Sequence, residues 1–366
     1  MSTATTETAP KKTRLYEFDM LKGVAIFLVV MGHVIAFCVR EIDATPLFKF
    51  IDKIHMPLFF FISGWFTFKL TKDGAVKAPD LLIRARQLLL PMVVVSSLWI
   101  WYYPRTGLES PLVSTFAGLW SDVWKNGYWF TLSLFLLMVI YAALTPLMSK
   151  LRSAVGGVVL TGCVWAVLLV INFTVSPKVI AALSFTQAAT YFPAFMIGAL
   201  GRRHIQGFMK LVNSSTAQTI ALLFGGACVY FLYYRWTYHI DEVMDTVIRG
   251  LSHICLALVG MAVFGPWARK AYAPDAPLTA TLMPRIWTLL GKESLGIYLL
   301  HYFFLFPMGS VAREWLKAMS LGFVPTLAFT VSVSAVIVLC VLGVIKLIQP
   351  SRLLTLLLTG KYEKSK

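Results

Sequence analysis

Charged residues are scarce in this 366-residue chain. Asp, Glu, Lys and Arg together make up 14% of it, whereas hydrophobic residues make up 58%. Soluble domains usually contain about 25% charged and about 45–50% apolar residues. The deficit of charge therefore excludes an ordinary soluble domain, and it predicts a membrane protein whose length does not translate into a number of soluble domains.

Acidic residues are especially few: 17 Asp and Glu stand against 33 Lys and Arg, which gives a net charge of +16. An excess of this size can indicate binding to nucleic acid. Here, however, the basic residues form short clusters between apolar runs, which is the pattern of loops that flank membrane spans. We therefore exclude a nucleic-acid-binding protein.

Several kinds of chemical site have no signature in the chain. It has no GxSxG elbow and no P-loop, so the sequence does not support nucleotide hydrolysis. The cysteines are odd in number, form no CxxC pair and lie in or beside apolar segments. We therefore predict buried small side chains, with neither a disulfide framework nor a metal site. The cysteines are Cys38, Cys163, Cys228, Cys255 and Cys340.

Ten apolar segments are long enough to be membrane spans, which need about 17–25 mostly apolar residues. We predict an all-α bundle of about ten transmembrane helices within 14–350, between a disordered tail at 1–13 and a basic tail at 351–366. The first segment lacks a small-residue cleavage site, so we predict that it is retained as a span. The segments are 20–39, 55–71, 87–103, 127–147, 153–173, 180–200, 217–234, 250–266, 294–310 and 323–348.

The distribution of Lys and Arg orients these spans. With the N-terminus in the cytoplasm and ten crossings, 23 of the 33 Lys and Arg residues fall on the cytoplasmic side and 10 on the outer side. Cytoplasmic loops carry such an excess of positive charge. We therefore predict a multi-pass protein of a bacterial inner membrane with both termini in the cytoplasm.

Ionisable residues inside spans are rare and often functional. His33 lies in the first span, and Lys22 precedes it by eleven residues. Eleven residues return to nearly the same helix face, about 16 Å further along, so the two side chains can contact the two ends of one long ligand. The alternative is a histidine bonded to a neighbouring helix and a lysine that reaches the headgroups. The spacing leaves both interpretations open.

The segment HMPLFFFISGWF at 55–66 combines a histidine, a proline and small residues. Pro57 suits a first helical turn, so we predict that the second span begins there, at the outer face, with His55 near the outer ends of the helices. Ser63 and Gly64 are expected to let neighbouring helices approach closely.

Two further groups of polar residues stand beside or within spans. Arg84 and Arg86 precede the third span, where they are either ordinary cytoplasmic charge or a pair that binds phosphates. Ser294, Tyr298 and His301 are spaced by four and three residues, so they form one polar stripe on a helix. We expect this stripe to face the interior of the bundle.

Taken together, five segments resemble the motifs of the acyltransferase-3 family in the family's order. The resemblance covers about residues 14–345 and implies an integral-membrane O-acyltransferase of roughly ten helices. It is similar to the short form of the family, which has no fused extracytoplasmic domain. The segments are RLYEFDMLKGVAIFLVVMGH at 14–33, HMPLFFFISGWF at 55–66, RARQLLLP at 84–91, YWFTLSLF at 128–135 and LGKESLGIYLLH at 290–301.

The resemblance implies that His33 is the essential catalytic residue. It acts either as general base on an acceptor hydroxyl or as a transient carrier of the acyl group, and the sequence leaves both open. Asp19 is three residues from Lys22 and can pair with it or orient it. Lys22 stands where many relatives have Arg, which keeps the positive charge but loses the bidentate geometry.

A donor site and an acceptor cavity complete the prediction. We expect Arg14, Arg84 and Arg86, together with Lys22, to bind the phosphates of a cytosolic acyl-CoA. Acetyl is the first expected acyl group and succinyl the main alternative, while the acceptor is a glycan or lipid-linked sugar of the cell envelope. The residues expected at the substrate or in the cavity are His55, Ser63, Trp129, Ser294, Tyr298 and His301.

Two other classes of membrane protein compete with this hypothesis. A transporter or flippase for a glycan or organic solute would use His33 and Lys22 to bind substrate or relay protons. A scaffolding subunit would need neither residue. Since neither class accounts for five family-like motifs in order, the sequence favours the acyltransferase.

Overall fold

Helices make up most of the part of the chain that the structure describes. A computed structural model describes residues 16–38, 46–106, 115–122, 125–233, 241–271, 278–306 and 323–361. These ranges contain helices and one isolated bridge between Leu70 and Val76, so the predicted all-α class is confirmed for them. The predicted tail at 1–13 lies outside the described residues. The α-helices are α1 Tyr16–Cys38, α2 Pro46–Thr67, α3 Leu81–Tyr102, α4 Phe116–Ser121, α5 Trp129–Lys150, α6 Ala154–Thr174, α7 Pro177–Ala182, α8 Phe185–Arg203, α9 Ile205–Asn213, α10 Ser215–Tyr233, α11 Glu242–Ala271, α12 Leu278–Lys292, α13 Ser294–Leu300, α14 Phe323–Ile348 and α15 Arg352–Thr359.

Six of these helices are long and apolar enough to cross a membrane: α1, α3, α5, α6, the Glu242–Val263 part of α11, and α14. Their mean hydropathy ranges from 1.5 to 2.7. The protein is therefore a multi-pass membrane protein. The count of ten spans and the cytoplasmic placement of both termini stay predictions.

The second predicted span begins earlier than expected. Helix α2 starts at Pro46, and Pro57 lies inside it instead of in its first turn. The expected start at Pro57 is therefore wrong, because Pro46 already provides a proline at the helix start, where its missing N–H costs nothing. An internal proline is tolerated in a membrane helix when neighbouring helices compensate for the lost hydrogen bond.

The sixth predicted span is divided in two. Helices α7 and α8 are separated at Ser184, whose backbone is left-handed with φ 49°, and whose carbonyl accepts a hydrogen bond of 3.1 Å from the Ser133 hydroxyl. Helix α8 is largely buried by other helices, including its Gln187 and Pro193. Because protein surrounds it, α8 does not need the uniformly apolar surface of a lipid-facing span.

Glycines bring helix backbones into contact at two places, between α1 and α12 and between α2 and α8. A Cβ at Gly23 of α1 would lie 1.8 Å from the Trp287 carbonyl oxygen of α12, and a Cβ at Gly291 would lie 1.7 Å from the Asp19 carbonyl oxygen. Gly64 of α2 has the same relation, at 1.8 Å, to a carbonyl of α8. Small residues permit such close packing in membrane bundles, and the predicted role of Gly64 is confirmed.

Helix α1 is the centre of the bundle. It packs against α2, α11, α12, α13 and α14. Within its membrane span 61% of the residues are buried, against 22% in α6 and 28% in α14. A polar side chain on α1 therefore meets protein on most sides, and this arrangement places Lys22 and His33 in the interior.

Candidate active site

His33 of α1 forms a hydrogen-bonded group with His301 and Tyr302, which directly follow α13. We call these three residues the histidine cluster. His33 Nδ1 lies 2.8 Å from His301 Nε2, and His33 Nε2 lies 3.2 Å from the Tyr302 hydroxyl. The two imidazole rings are nearly parallel, with centroids 5.0 Å apart. His301 and Tyr302 are buried, whereas His33 is half-buried. A substrate would therefore reach the cluster through His33.

The partners of His301 determine where the protons lie in the neutral cluster. His301 Nδ1 lies 2.8 Å from the Tyr298 carbonyl oxygen and 3.1 Å from the Ile297 carbonyl oxygen, so it carries the proton and donates. His301 Nε2 is then an acceptor, and His33 Nδ1 donates to it. The remaining nitrogen, His33 Nε2, keeps its lone pair and accepts from the Tyr302 hydroxyl. The fold thus selects the tautomer of His33 in which Nε2 is the base.

The chain just before α5 holds the tyrosines beside this cluster. The Tyr298 hydroxyl donates to the Gly127 carbonyl oxygen and accepts from the Phe130 backbone N–H at 3.2 Å. Gly127 has φ 87°, and a Cβ there would lie only 1.9 Å from the Tyr302 hydroxyl oxygen. Only glycine fits this position, since it needs both a left-handed backbone and the space of the missing side chain.

A buried lysine fixes the same segment. The ammonium of Lys125 donates to three backbone carbonyls, those of Ala181 at 2.8 Å, Asp122 at 3.0 Å and Trp120 at 3.2 Å. Burial lowers the pKa of the Lys125 ammonium below its usual value, and the nearby Asp122 carboxylate opposes that shift. Lys125 therefore joins the chain before α5 to the end of α7, two residues away from the glycine that contacts Tyr302.

A cavity of about 1160 Å³ reaches Tyr298, which lies one helical turn from His301. His33, His301 and Tyr302 themselves are not among the residues that line it. It extends along α2 from Thr67 to Met56, which is eleven residues or about 16 Å of helix. Its inner end is apolar and is lined by Met56, Phe59, Phe130 and Leu134, together with the Tyr298 side chain. The cavity is therefore elongated, with a length comparable to the separation of Lys22 and His33 along α1.

The opposite end of the cavity is strongly positive. Five cations line it, from α1, α3, the end of α12 and the C-terminal segment, and we call them the basic mouth. The Lys22 ammonium pairs with the Asp19 carboxylate at 3.0 Å, as the spacing predicted, and Lys361 pairs with Glu293. The basic mouth consists of Lys22, Arg84, Lys292, Arg352 and Lys361.

Tyr298 separates the cavity from the histidine cluster. Its side chain lines the cavity, while its backbone carbonyl oxygen accepts a hydrogen bond from His301 Nδ1. Its ring packs edge-on against Phe130, with centroids 5.4 Å apart. A slender group that extends from the basic mouth along the cavity would therefore end against Tyr298, one helical turn from His301.

Comparison with known proteins identifies the family. The sequence profile of the acyltransferase-3 family, described as an acyltransferase domain, matches residues 15–345. The chain belongs to the acyltransferase-3 family. The enzyme hypothesis is thus confirmed at the level of a membrane acyltransferase, whereas the transporter and the scaffolding subunit gain no support.

Two curated relatives are nodulation proteins of rhizobia. The acyltransferase-3 chain is 27% identical over 299 residues to nodulation protein NolL of Sinorhizobium fredii, a match that covers 77% of this chain and 75% of that relative. It is 33% identical over 147 residues to nodulation protein NolL of Mesorhizobium japonicum, which covers 37% of this chain and only 38% of that relative. No solved structure matches the chain.

The structure of this acyltransferase-3 member brings many of the predicted site residues together. Lys22, Arg84, Ser63, Ser294 and Tyr298 all line the cavity. Asp19 pairs with the first of them, and His301 contacts His33, so the predicted stripe on the ninth span faces the interior.

Other predicted residues lie elsewhere. Arg86 is exposed and is absent from the lining of the cavity, although Arg84 is only two residues away. His55 and Trp129 are also absent from it, while their neighbours Met56 and Phe130 line it. Trp129 instead stacks on Tyr191 and Phe60. Arg14 lies outside the described residues.

Several residues of the site were not predicted from the sequence. Tyr302 directly follows the predicted stripe, and its spacing from Tyr298 would have placed it on the same face of a helix. Lys292 stands inside a recognised motif. Arg352 and Lys361 had no signal beyond the basic composition of the tail, and a lysine held by carbonyls, such as Lys125, has no sequence signature. Among the described residues, no group of three or more His, Cys, Asp or Glu side chains is arranged to hold a metal ion.

Proposed function

We propose that this membrane acyltransferase transfers an acyl group, first of all acetyl, from a cytosolic acyl-CoA to a hydroxyl group of a cell-envelope glycan or of its lipid-linked precursor. Succinyl is the main alternative acyl group. The enzyme would act in the inner membrane of a bacterium, with the donor entering from the cytoplasm and the acceptor from the outer side. Acyl-CoA is its co-substrate, and no metal takes part.

The charge and shape of the cavity support an acyl-CoA donor. Coenzyme A carries its phosphates at one end and a long, thin pantetheine arm that ends in the thioester. Phosphates are expensive to bury in lipid, so they require an aqueous site rich in cations, which the basic mouth provides. The length of about 16 Å from Thr67 to Met56, with its apolar inner end, suits the arm. The thioester would then reach Tyr298, beside the histidine cluster.

In the first possible mechanism His33 is a general base. The acceptor hydroxyl replaces the Tyr302 hydroxyl at His33 Nε2 and gives its proton to that nitrogen while its oxygen attacks the thioester carbonyl. A new C–O bond forms, the C–S bond breaks, and the leaving thiolate takes the proton from the imidazolium. Because His301 accepts from Nδ1 throughout, His33 stays in the required orientation.

In the second mechanism His33 carries the acyl group for a short time. Its Nε2 attacks the thioester carbonyl and the C–S bond breaks, which releases the CoA thiolate and leaves an acyl-imidazolium. The acceptor hydroxyl then attacks this carbonyl: a C–O bond forms, the C–N bond breaks, Nε2 recovers its lone pair, and the hydroxyl proton passes to the thiolate. Both mechanisms use the same lone pair on Nε2. Donor and acceptor would be held at one point in either case, which lowers the entropic part of the barrier.

The observation that carries the proposal is the directed hydrogen-bond chain from His33 through His301 to the Tyr298 carbonyl, because the Tyr298 side chain lines the inner end of a cavity with a basic mouth. The test supplies membranes that contain the protein with labelled acetyl-CoA or succinyl-CoA and measures the label in envelope glycans. We expect His33→Ala and His33→Gln to lower transfer by about 10²- to 10⁴-fold, the usual contribution of a general acid–base group.

The matched control is His204→Gln, which removes an imidazole outside the cavity and the cluster. We expect this variant to keep wild-type transfer and the His33 variants to keep their affinity for CoA. Substantial transfer by either His33 variant would contradict the role of His33. If the modified acceptor is found only on the cytoplasmic side, the proposed direction is wrong.

A further inference from the structure

The C-terminal segment 351–361 is an ordered part of the molecule. Helix α15 begins with Ser351, whose hydroxyl accepts from the Leu354 N–H at 3.3 Å, and ends at Gly360, whose left-handed backbone has φ 67°. Both ends thus carry standard helix caps. The segment follows residue 345, where the match to the family ends. It therefore lies outside the part of the chain that matches the family.

This segment is docked closely against the bundle. A Cβ at Gly360 would lie 2.1 Å from the Gln87 carbonyl oxygen of α3, so the two backbones touch. Thr359 is buried, and its methyl group lies 3.1 Å from where a Cβ of Gly296 in α13 would be. Tight packing of this kind fixes the position of the residues on either side of it.

The docked segment forms one wall of the cavity. Arg352, Thr355, Leu356, Thr359 and Gly360 line it, and so does Lys361. Two of the five cations of the basic mouth therefore come from a part of the chain that lies beyond the matched domain. Together with the two carboxylates that pair with Lys22 and Lys361, the five cations give a net charge of +3. Two of the five positive charges, those of Arg352 and Lys361, come from the segment.

The ion pair of Lys361 with Glu293 has an asymmetric environment. The Lys361 side chain is 37% exposed, whereas the Glu293 side chain is only 10% exposed. The second carboxylate oxygen of Glu293, Oε2, is buried and has no hydrogen-bond partner among the described residues. The lysine is thus the more accessible member, and an incoming anion can reach it from the cavity.

We propose that the C-terminal segment is part of the donor site, in which Arg352 and Lys361 bind the phosphates of the acyl-CoA nucleotide and Glu293 holds Lys361 while the site is empty. The inference rests on the proposed function, since it names the residues that would receive that donor. Coenzyme A has a diphosphate and a ribose 3′-phosphate, which is more negative charge than the three cations of the basic mouth outside this segment, Lys22, Arg84 and Lys292, can balance.

This arrangement makes the two members of the ion pair act in opposite directions. Lys361→Gln removes a phosphate ligand and weakens CoA binding. Glu293→Gln removes a competing carboxylate, releases Lys361, and strengthens CoA binding. A pair that only braced the fold would respond differently, because either substitution would destabilise the protein and neither would raise the affinity for an anion.

The experiment measures CoA binding by calorimetry on purified full-length protein in lipid nanodiscs. The variants are Arg352→Gln with Lys361→Gln, Lys361→Gln alone, Glu293→Gln alone, and Arg152→Gln as the control for a loop arginine outside the cavity. We expect the double variant to bind CoA roughly tenfold more weakly or worse, since it loses two charged contacts to phosphate that water and salt partly screen. Glu293→Gln should bind severalfold more tightly, and Arg152→Gln should match the wild type.

Two further measurements keep the test decisive. Charge-conserving Arg352→Lys with Lys361→Arg should restore near-wild-type affinity, which separates charge from folding. Dephospho-CoA, which lacks the 3′-phosphate, should show a smaller difference between the wild type and the double variant. The inference about the C-terminal segment would be wrong if the double variant had unchanged CoA affinity, or if Lys361→Gln and Glu293→Gln shifted the affinity in the same direction. Either result would leave the proposed donor intact. Failure of the wild type to bind CoA would instead overturn the proposed donor.

Discussion

The two ends of the candidate site hold their polar groups in different ways. In the histidine cluster each hydrogen bond has one direction, from Tyr302 to His33, from His33 to His301, and from His301 to backbone carbonyls. In the basic mouth, several cations face a shared space and two of them pair with carboxylates. The first arrangement specifies one geometry, and the second supplies charge without requiring one.

The difference has consequences for substitution. A buried group that loses its hydrogen-bond partner costs about 1–3 kcal/mol and leaves its neighbours misoriented. A half-exposed ion pair contributes less, because water and salt screen it. We therefore expect single changes at the histidine cluster to act on the rate of transfer, and single changes at the basic mouth to act on donor affinity in a salt-dependent way.

The largest effect is expected for His301→Phe. Phenylalanine cannot accept from His33 Nδ1–H, so His33 loses the partner that selects its tautomer and orientation. We expect kcat to fall by roughly a hundredfold or more, while the KM for the acyl-CoA stays near the wild-type value. In His301→Gln the amide oxygen can still accept the hydrogen bond from His33 Nδ1–H, so this variant should retain more activity than His301→Phe.

The control for the loss of a buried imidazole is His253→Phe, in a ring stack with Tyr191. It should affect thermal stability but leave kcat per folded molecule unchanged. Steady-state kinetics on purified protein, normalised to the folded fraction, gives the comparison. Equal kcat losses in His253→Phe and His301→Phe would show that His301 has no specific effect on His33.

The next effect concerns Lys125, the support of the segment beside Tyr302. In Lys125→Met three backbone carbonyls lose their hydrogen-bond donor. The variant no longer has the cost of burying a cation, but this gain offsets only part of the loss of the three hydrogen bonds. We expect the free energy of unfolding to decrease by about 2–4 kcal/mol, together with a loss of transferase activity. Thermal unfolding of Lys125→Met and of the exposed control Lys178→Met tests this. Equal melting temperatures of the two variants would contradict the supporting role.

Helix periodicity made part of the site predictable. The placement of Lys22 and His33 on one face of α1 needs only a regular helix, and the Asp19–Lys22 pair needs only a spacing of three residues. The inward direction of Tyr298 and His301 follows from the cost of polar groups in lipid. These inferences are local, so a sequence is sufficient for them.

The rest depends on contacts between distant parts of the chain. The bond between His33 and His301 joins residues 268 positions apart, and no periodicity predicts such a pairing. The same holds for Lys361, which lies at the cavity because Gly360 fits against Gln87 of α3. The start of α2 shows that local signals can also be ambiguous. Pro46 and Pro57 each suit the first turn of a helix, and the sequence alone does not choose between them.

The smallest effect is expected at the basic mouth, where Arg84 and Arg86 form a matched pair on one helix. Only Arg84 lines the cavity, and its guanidinium donates to the Gln87 side chain at 3.1 Å. We expect Arg84→Gln to raise the KM for acyl-CoA about three- to tenfold, as for one partly screened charge, with kcat unchanged. Arg86→Gln should leave both constants unchanged, although it removes the same charge two residues away.

Raising the salt concentration should weaken donor binding in the wild type more than in Arg84→Gln, because that variant has already lost one of the screened charges. Equal effects of the two substitutions on KM would mean that the mouth attracts the donor by net charge alone, and the distinction between its lining and the nearby surface would then be lost.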